Sequence, residues 1–243
     1  MGGGHFGATQ LPLRLQWRGG DALDGFVCDD GNLAVVHALR HWLQQAEPTV
    51  FYLHGPAGSG RTHLLQAAAQ RAGGLYLPLR ELIAVEPASV CEGLEQMPLL
   101  ALDDLDAVAA EPAWAEALFH LFNRCAAVGH RLLVAATLAP AGIPCALEDL
   151  RSRLGWGGSF RLSPLGEEGC RALLLQRGNA LGLQLPEAVI SYLLARAPRG
   201  AVPLLALLDQ IDQRALAEQR RLTIPLVRSV LESNDGTESQ HRS

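Results

Sequence analysis

Val50-Phe51-Tyr52-Leu53-His54-Gly55-Pro56-Ala57-Gly58-Ser59-Gly60-Arg61-Thr62-His63-Leu64-Leu65 decides how the whole chain reads. Its first four residues are apolar strand formers, and Gly55-Pro56 ends them. From Arg61 onward the spacing is helical, so a glycine-rich loop joins a strand to a helix. That loop fits the phosphate-binding pattern Gly-x4-Gly-Lys-Ser/Thr, with Arg61 in place of the lysine. Glycines let successive N–H groups curl around a phosphate, the helix N-terminus favours an anion, and Thr62 offers a hydroxyl to Mg²⁺.

Outward from the loop, strand and helix patterns alternate. Leu75-Tyr76-Leu77, Pro98 to Leu102, Arg131 to Ala136 and Phe160-Arg161-Leu162 read as further strands, and Pro112 opens a helix to about Val128. Leu33, Val36, Leu39 and Leu43 share a helix face behind Asp30-Gly31-Asn32. Such alternation predicts a parallel sheet with helices on both faces. After Ser163-Pro164 only helical patterns remain, over 166–181, 186–197, 201–219 and 224–232, so a small all-helical domain follows the α/β base. The expected division is a flexible N-terminal segment 1–16, a base 17–164, a helical lid 165–232 and a disordered tail 233–243.

Composition narrows the function. The 243 residues carry a net charge of −5, so no overall basic field holds a nucleic-acid backbone and strong direct DNA binding is not expected. Every positive side chain is arginine, and Arg61 fits that bias. No apolar run approaches the roughly 18–20 residues a membrane span needs. The N-terminal segment lacks a signal-peptide pattern, and five cysteines without a CxxC pair read as free thiols of a cytoplasmic protein.

Two further motifs carry chemistry. Leu99-Leu100-Ala101-Leu102-Asp103-Asp104 ends an apolar strand in two carboxylates beside the phosphate loop. Asp103 is placed to hold the metal and Asp104 to orient an attacking water. Glu148 to Gly157 contains Leu150-Arg151-Ser152-Arg153-Leu154-Gly155-Trp156-Gly157, in which Arg153 precedes a Gly-Trp-Gly.

Together these blocks resemble the DnaA/Hda family of AAA+ proteins over about residues 10–232. Phe26-Val27 with Asn32 resembles its adenine-side box, and Gly55 to Leu65, including Pro56, Ala57, Gly58, Ser59, Gly60, Arg61, Thr62 and His63, its Walker A. Leu99 to Asp104 resembles Walker B, and Leu150 to Gly157 resembles box VII, whose arginine finger falls on Arg153. Arg199 falls on the sensor 2 arginine. Gln10-Leu11-Pro12-Leu13 resembles the peptide with which short family members engage the polymerase sliding clamp. The sequence also ends after the lid, without the initiator's DNA-binding helix-turn-helix.

The resemblance implies a P-loop AAA+ base with a helical lid, ADP (or another nucleoside diphosphate) and Mg²⁺ as ligands, and DnaA and the sliding clamp as partners. It also implies homo-oligomers and a negative regulator that stimulates hydrolysis of DnaA-bound ATP. Arg61, and Thr137 at the sensor 1 position where Asn or Asp is usual, imply weak hydrolysis by the chain itself. The alternatives are a self-sufficient ATPase of the helicase-loader type and a clamp-tethered scaffold with a decayed pocket.

Overall fold

The computed structural model describes residues 23–44, 50–197, 200–218 and 221–240. Five strands, β1 (Val50–His54), β2 (Leu75–Pro78), β3 (Leu99–Asp103), β4 (Arg131–Ala136) and β5 (Gly158–Arg161), form one sheet in the order β2-β3-β4-β1-β5. All neighbours are parallel, and Phe51 pairs with Leu133 on one side and Gly158 on the other. The alternating pattern read from the sequence therefore gives the expected parallel sheet.

Period-two geometry splits the strand residues between two cores. Tyr52, Leu100, Leu102, Leu132 and Val134 face α5 (Pro112–Val128) and α6 (Glu148–Leu154). Phe51, Leu53, Ala101, Leu133 and Ala135 face α1 (Asp30–Trp42) and α2 (Arg61–Ala72). Burial on both faces explains why these strands read as continuous apolar runs rather than alternating ones. Truncating Leu133, fully buried in the central β4, to Ala would cost about 2–5 kcal/mol.

Local signals set the helix ends. Pro112 opens α5, where its missing N–H costs nothing, and left-handed glycines at 129 and 73 close α5 and α2. Two helices of four and five residues, α3 (Leu79–Leu82) and α4 (Pro87–Cys91), fill the β2–β3 connection and are too short to show a period in sequence. On α1 the buried face is Val35, Val36, Leu39 and Trp42, whereas Leu33 is exposed, so the stripe read from spacing is shifted.

The lid comprises α7 (Glu167–Ala180), α8 (Glu187–Arg196), α9 (Ala201–Glu218) and α10 (Ile224–Gln240). It has a core of its own around Leu174, Ile190, Leu193, Leu208, Ile211 and Val227. The α10 backbone runs on to Gln240, so polar residues continue the final helix beyond its apolar part. Among the described residues, no helix is long and apolar enough to cross a membrane. The segment 1–16 lies outside the described residues, including Gln10, Leu11, Pro12 and Leu13.

Candidate nucleotide site and the Arg153 edge

The loop Gly55–Gly60 leaves the carboxyl end of β1 and enters α2 at Arg61. Gly60 is its left-handed residue before the helix (φ 95°), and a Cβ there would come within 3.0 Å of the Phe26 ring. Only glycine satisfies both demands. Phe26 also meets His63, with ring centroids 5.5 Å apart, so an aromatic pair flanks the loop on the side predicted for the base. Ser59 is buried and its Oγ has no hydrogen-bond partner. An orphaned buried hydroxyl inside a glycine loop at a helix N-terminus fits a phosphate, which would supply the missing partner.

At the floor of the site, Thr62 Oγ1 donates to Asp103 Oδ2 at 2.6 Å, and the Tyr76 hydroxyl donates to the same oxygen at 3.0 Å. The Asp104 N–H holds Asp103 Oδ1 at 2.9 Å. Burial pushes the Asp103 carboxyl above its usual range, opposed by the Thr62 hydrogen bond. Burial, then Asp103, pushes the Tyr76 phenol up as well, so it stays a donor. A buried carboxylate destabilised by lost solvation, with a threonine hydroxyl alongside, matches the oxygen donors that Mg²⁺ takes.

Asp104 is the single non-glycine residue with positive φ (52°) among the described residues. Arg80 Nε donates to its Oδ2 at 3.0 Å, and Arg61 lies 3.9 Å from its Oδ1. Arg61 itself is buried and turns away from the expected phosphate position. Its Nη1 donates to the carbonyl of Gly55 and, at 2.6 Å, to that of Ala136, tying the ends of β1 and β4 together. Thr137 donates its hydroxyl to Asp106. Burial, then Arg161 and Arg61, lower the His54 pKa and favour its neutral form.

Arg153 lies at the opposite end of the central strands. With Trp156 it lines a hollow beside Val50, the first residue of β1, and Leu132 near the start of β4. The phosphate loop begins where β1 ends. A five-residue strand at roughly 3.3 Å per residue puts about 16 Å between these edges. The Arg153 guanidinium carbon stands 4.0 Å from the Trp156 ring centroid and 5.3 Å from that of Phe119. No carboxylate pairs with it among the described residues. Gly157 anchors this corner: a Cβ there would lie 1.5 Å from the Val50 carbonyl oxygen, which explains the glycine after Trp156.

Residues 167–231 match the family model described as the Hda lid domain. Domain III of the replication initiator DnaA from Thermotoga maritima superposes with a TM-score of 0.75 at 19% identity, covering 87% of this chain and 95% of that one. AMPPCP-bound DnaA from Aquifex aeolicus gives 0.65 at 20% identity, over 79% of this chain and 65% of that one. The RuvB branch-migration motor of Thermotoga maritima gives 0.68 at 16%, over 88% and 72%. The chain shares the fold of DnaA domain III, and its C-terminal helices match an Hda-type lid.

Three long-range contacts join this Hda-type lid and its linker to the base. The Asn32 amide is used twice, donating to the Ser163 carbonyl at 2.8 Å and accepting from the Ser163 N–H at 2.9 Å. The Asn32 side chain is a buried brace between α1 and the linker after β5. Asp29 Oδ2 accepts from Gly166 N–H at 3.1 Å, and Gln176 Nε2 donates to the Gly25 carbonyl at 2.7 Å. Val27 lies in the same connecting stretch, half-buried. Arg199 lies outside the described residues.

Sequence reading missed Tyr76, Arg80, Asp29 and Gln176. For Tyr76 and Arg80 a signal existed: β2 runs beside β3, so residues on and just after it face the Asp103-Asp104 pair. Asp29 and Gln176 carry no comparable signal, because their partners lie across the base–lid junction.

Proposed function

We propose that this DnaA-related AAA+ protein is a nucleotide-bound negative regulator of chromosomal replication initiation. In this reading it stimulates hydrolysis of ATP held by DnaA, acting with the DNA-loaded sliding clamp. The observation that carries the reading is the placement of Arg153. It lines a hollow beside the first residue of β1, whereas the phosphate loop leaves that strand's far end, about 16 Å along a five-residue strand, and its charge is paired to no described carboxylate. A guanidinium so placed is of no use to its own nucleotide and is available to a neighbour's.

The partner's ATP is the substrate. As its γ-phosphoryl group is transferred to water, negative charge spreads over the equatorial oxygens. The planar Arg153 offers them two parallel N–H donors. Fingers of this kind are worth about 10³–10⁵ in rate. The product is ADP-bound DnaA.

The chain's own site has a different task. Gly55 to Gly60 and Ser59 would hold the phosphates of ADP, Thr62 and Asp103 the Mg²⁺, and Phe26 would flank the base. Bound there, ADP and Mg²⁺ supply ordering rather than chemistry. The lid meets the base through Gln176 and Asp29 beside that pocket, and Arg199 is expected to reach it as sensor 2. Bound nucleotide thereby biases the lid–base angle and the assembly that presents Arg153. Self-sufficient hydrolysis, the helicase-loader alternative, is disfavoured because Arg80 and Arg61 engage Asp104.

Arg153→Ala tests the reading. ADP binding and clamp pull-down are expected to persist while stimulation of DnaA-bound ATP hydrolysis falls at least about 100-fold; undiminished stimulation refutes it. Gln10, Leu11 and Leu13 changed together to Ala are expected to abolish clamp pull-down at unchanged Tm. Clamp capture by that variant removes the clamp from the proposal.

A further inference from the structure

We propose that Trp156 is a positioning residue for Arg153, an aromatic platform that aims the guanidinium while leaving its hydrogen-bond donors free; this rests on reading Arg153 as a finger acting in trans.

Trp156 is 62% exposed, an unusual position for the largest apolar side chain. Its location is nevertheless fixed. Its backbone N–H donates to the Arg153 carbonyl at 3.1 Å, and the Gly155 N–H donates to that of Ser152 at 3.1 Å, so the chain turns tightly out of α6. Gly157 then presses against the Val50 carbonyl, where no side chain fits. The indole is thus held between a helix end and a strand start, with the Arg153 guanidinium carbon 4.0 Å from its ring centroid. Phe119 on α5 lies 5.3 Å from the same carbon and offers a second ring.

The physical argument turns on which part of the guanidinium each partner uses. A carboxylate binds the N–H edge and neutralises the charge, consuming the donors a phosphate needs. An aromatic ring attracts the cation through its quadrupole and occupies the face. The edge donors remain available in the plane, where bidentate phosphate contacts form. Arginine has several rotatable bonds and loses much rotamer entropy when fixed. An indole that confines it beforehand removes part of that cost from the encounter with a partner's triphosphate. Trp156 itself touches no reacting atom.

The test compares Trp156→Phe, which keeps a ring, with Trp156→Leu, which keeps bulk without one, alongside Arg153→Ala. Each is assayed for stimulation of DnaA-bound ATP hydrolysis over a range of protein concentrations. Trp156→Leu is expected to lower the maximal rate about tenfold with the half-saturating concentration within about twofold, and Trp156→Phe to stay within about threefold of the parent. In ¹⁵N-labelled free protein the Arg153 Nε–Hε resonance is expected to be ring-current shifted, and to lose that shift in Trp156→Leu but not in Trp156→Phe. A full maximal rate for Trp156→Leu while Arg153→Ala is inactive overturns the platform and leaves the finger standing. A rate above the parent's also overturns it, because the ring then parks the side chain rather than aiming it. Full stimulation by Arg153→Ala marks failure of the finger reading itself, and the platform falls with it.

Discussion

Arg80 Nε donates to Asp104 Oδ2 at 3.0 Å, so the carboxylate expected to orient an attacking water is already engaged from the neighbouring strand's end. Arg61, 3.9 Å from the other carboxylate oxygen, completes a cationic bracket. A base needs a lone pair aimed at the water, and a carboxylate whose oxygens are engaged by two guanidinium groups is misdirected.

Arg80→Ala should therefore raise whatever ATP hydrolysis the proposed nucleotide site carries out, by about three- to tenfold, the scale on which partial restoration of a general base acts. Single-turnover hydrolysis by the purified protein alone measures it. Because Arg80 is largely exposed, the melting temperature should stay within about 1 °C, as for most surface substitutions. A fall in the hydrolysis rate would instead make Arg80 a phosphate contact.

Asn32 makes a different prediction, on the joint between base and lid. It is 1% exposed and satisfies both main-chain groups of Ser163. Asn32→Ala leaves that N–H and carbonyl unpartnered, at about 2 kcal/mol, so Tm should fall by roughly 4–8 °C. The lid should also loosen, read as faster proteolytic cleavage near 163–166 and as weaker ADP binding by calorimetry. An unchanged Tm would show that Ser163 finds other partners.

Legibility in the sequence followed the range of the forces involved. β1, β3 and β4 were plain because a strand buried on both faces is a continuous apolar run, and the glycine loop because its conformation demands glycine. Arg153 stood out through the Gly-Trp-Gly after it, whose last glycine is dictated by the Val50 carbonyl. The bracing role of Asn32 was not legible, since its partner lies 131 residues away and no local pattern encodes it. Leu33 fell on the wrong side of α1 because a helix's period fixes its stripe only to within a residue, and packing in the core placed Val35 beside Val36 instead. Arg61 stands at the lysine position of the loop pattern, and its hydrogen bonds to the Gly55 and Ala136 carbonyls are long-range contacts that the pattern does not encode.

Asp103 carries the last prediction, an opposition between stability and binding. Its carboxyl is almost wholly buried, and burial raises its pKa, so at neutral pH the charged form is held at a cost to the nucleotide-free fold. Asn in its place keeps the shape. The amide NH₂ can donate to Thr62 and Tyr76, whose hydroxyls accept as readily as they donate, and the amide oxygen still receives the Asp104 N–H. Removing the buried charge without orphaning a partner should stabilise the nucleotide-free protein by about 1 kcal/mol, raising Tm by roughly 2–4 °C. The same change removes the anionic oxygen placed for Mg²⁺, so the Mg²⁺-dependent part of nucleotide affinity should disappear while metal-free binding through the glycine loop persists. Thermal melts with and without ADP, each in Mg²⁺ and in EDTA, separate the two effects. A variant that melts below the parent without nucleotide would mean that the three hydrogen bonds to Asp103 need its charge, and the carboxylate would then be structural first.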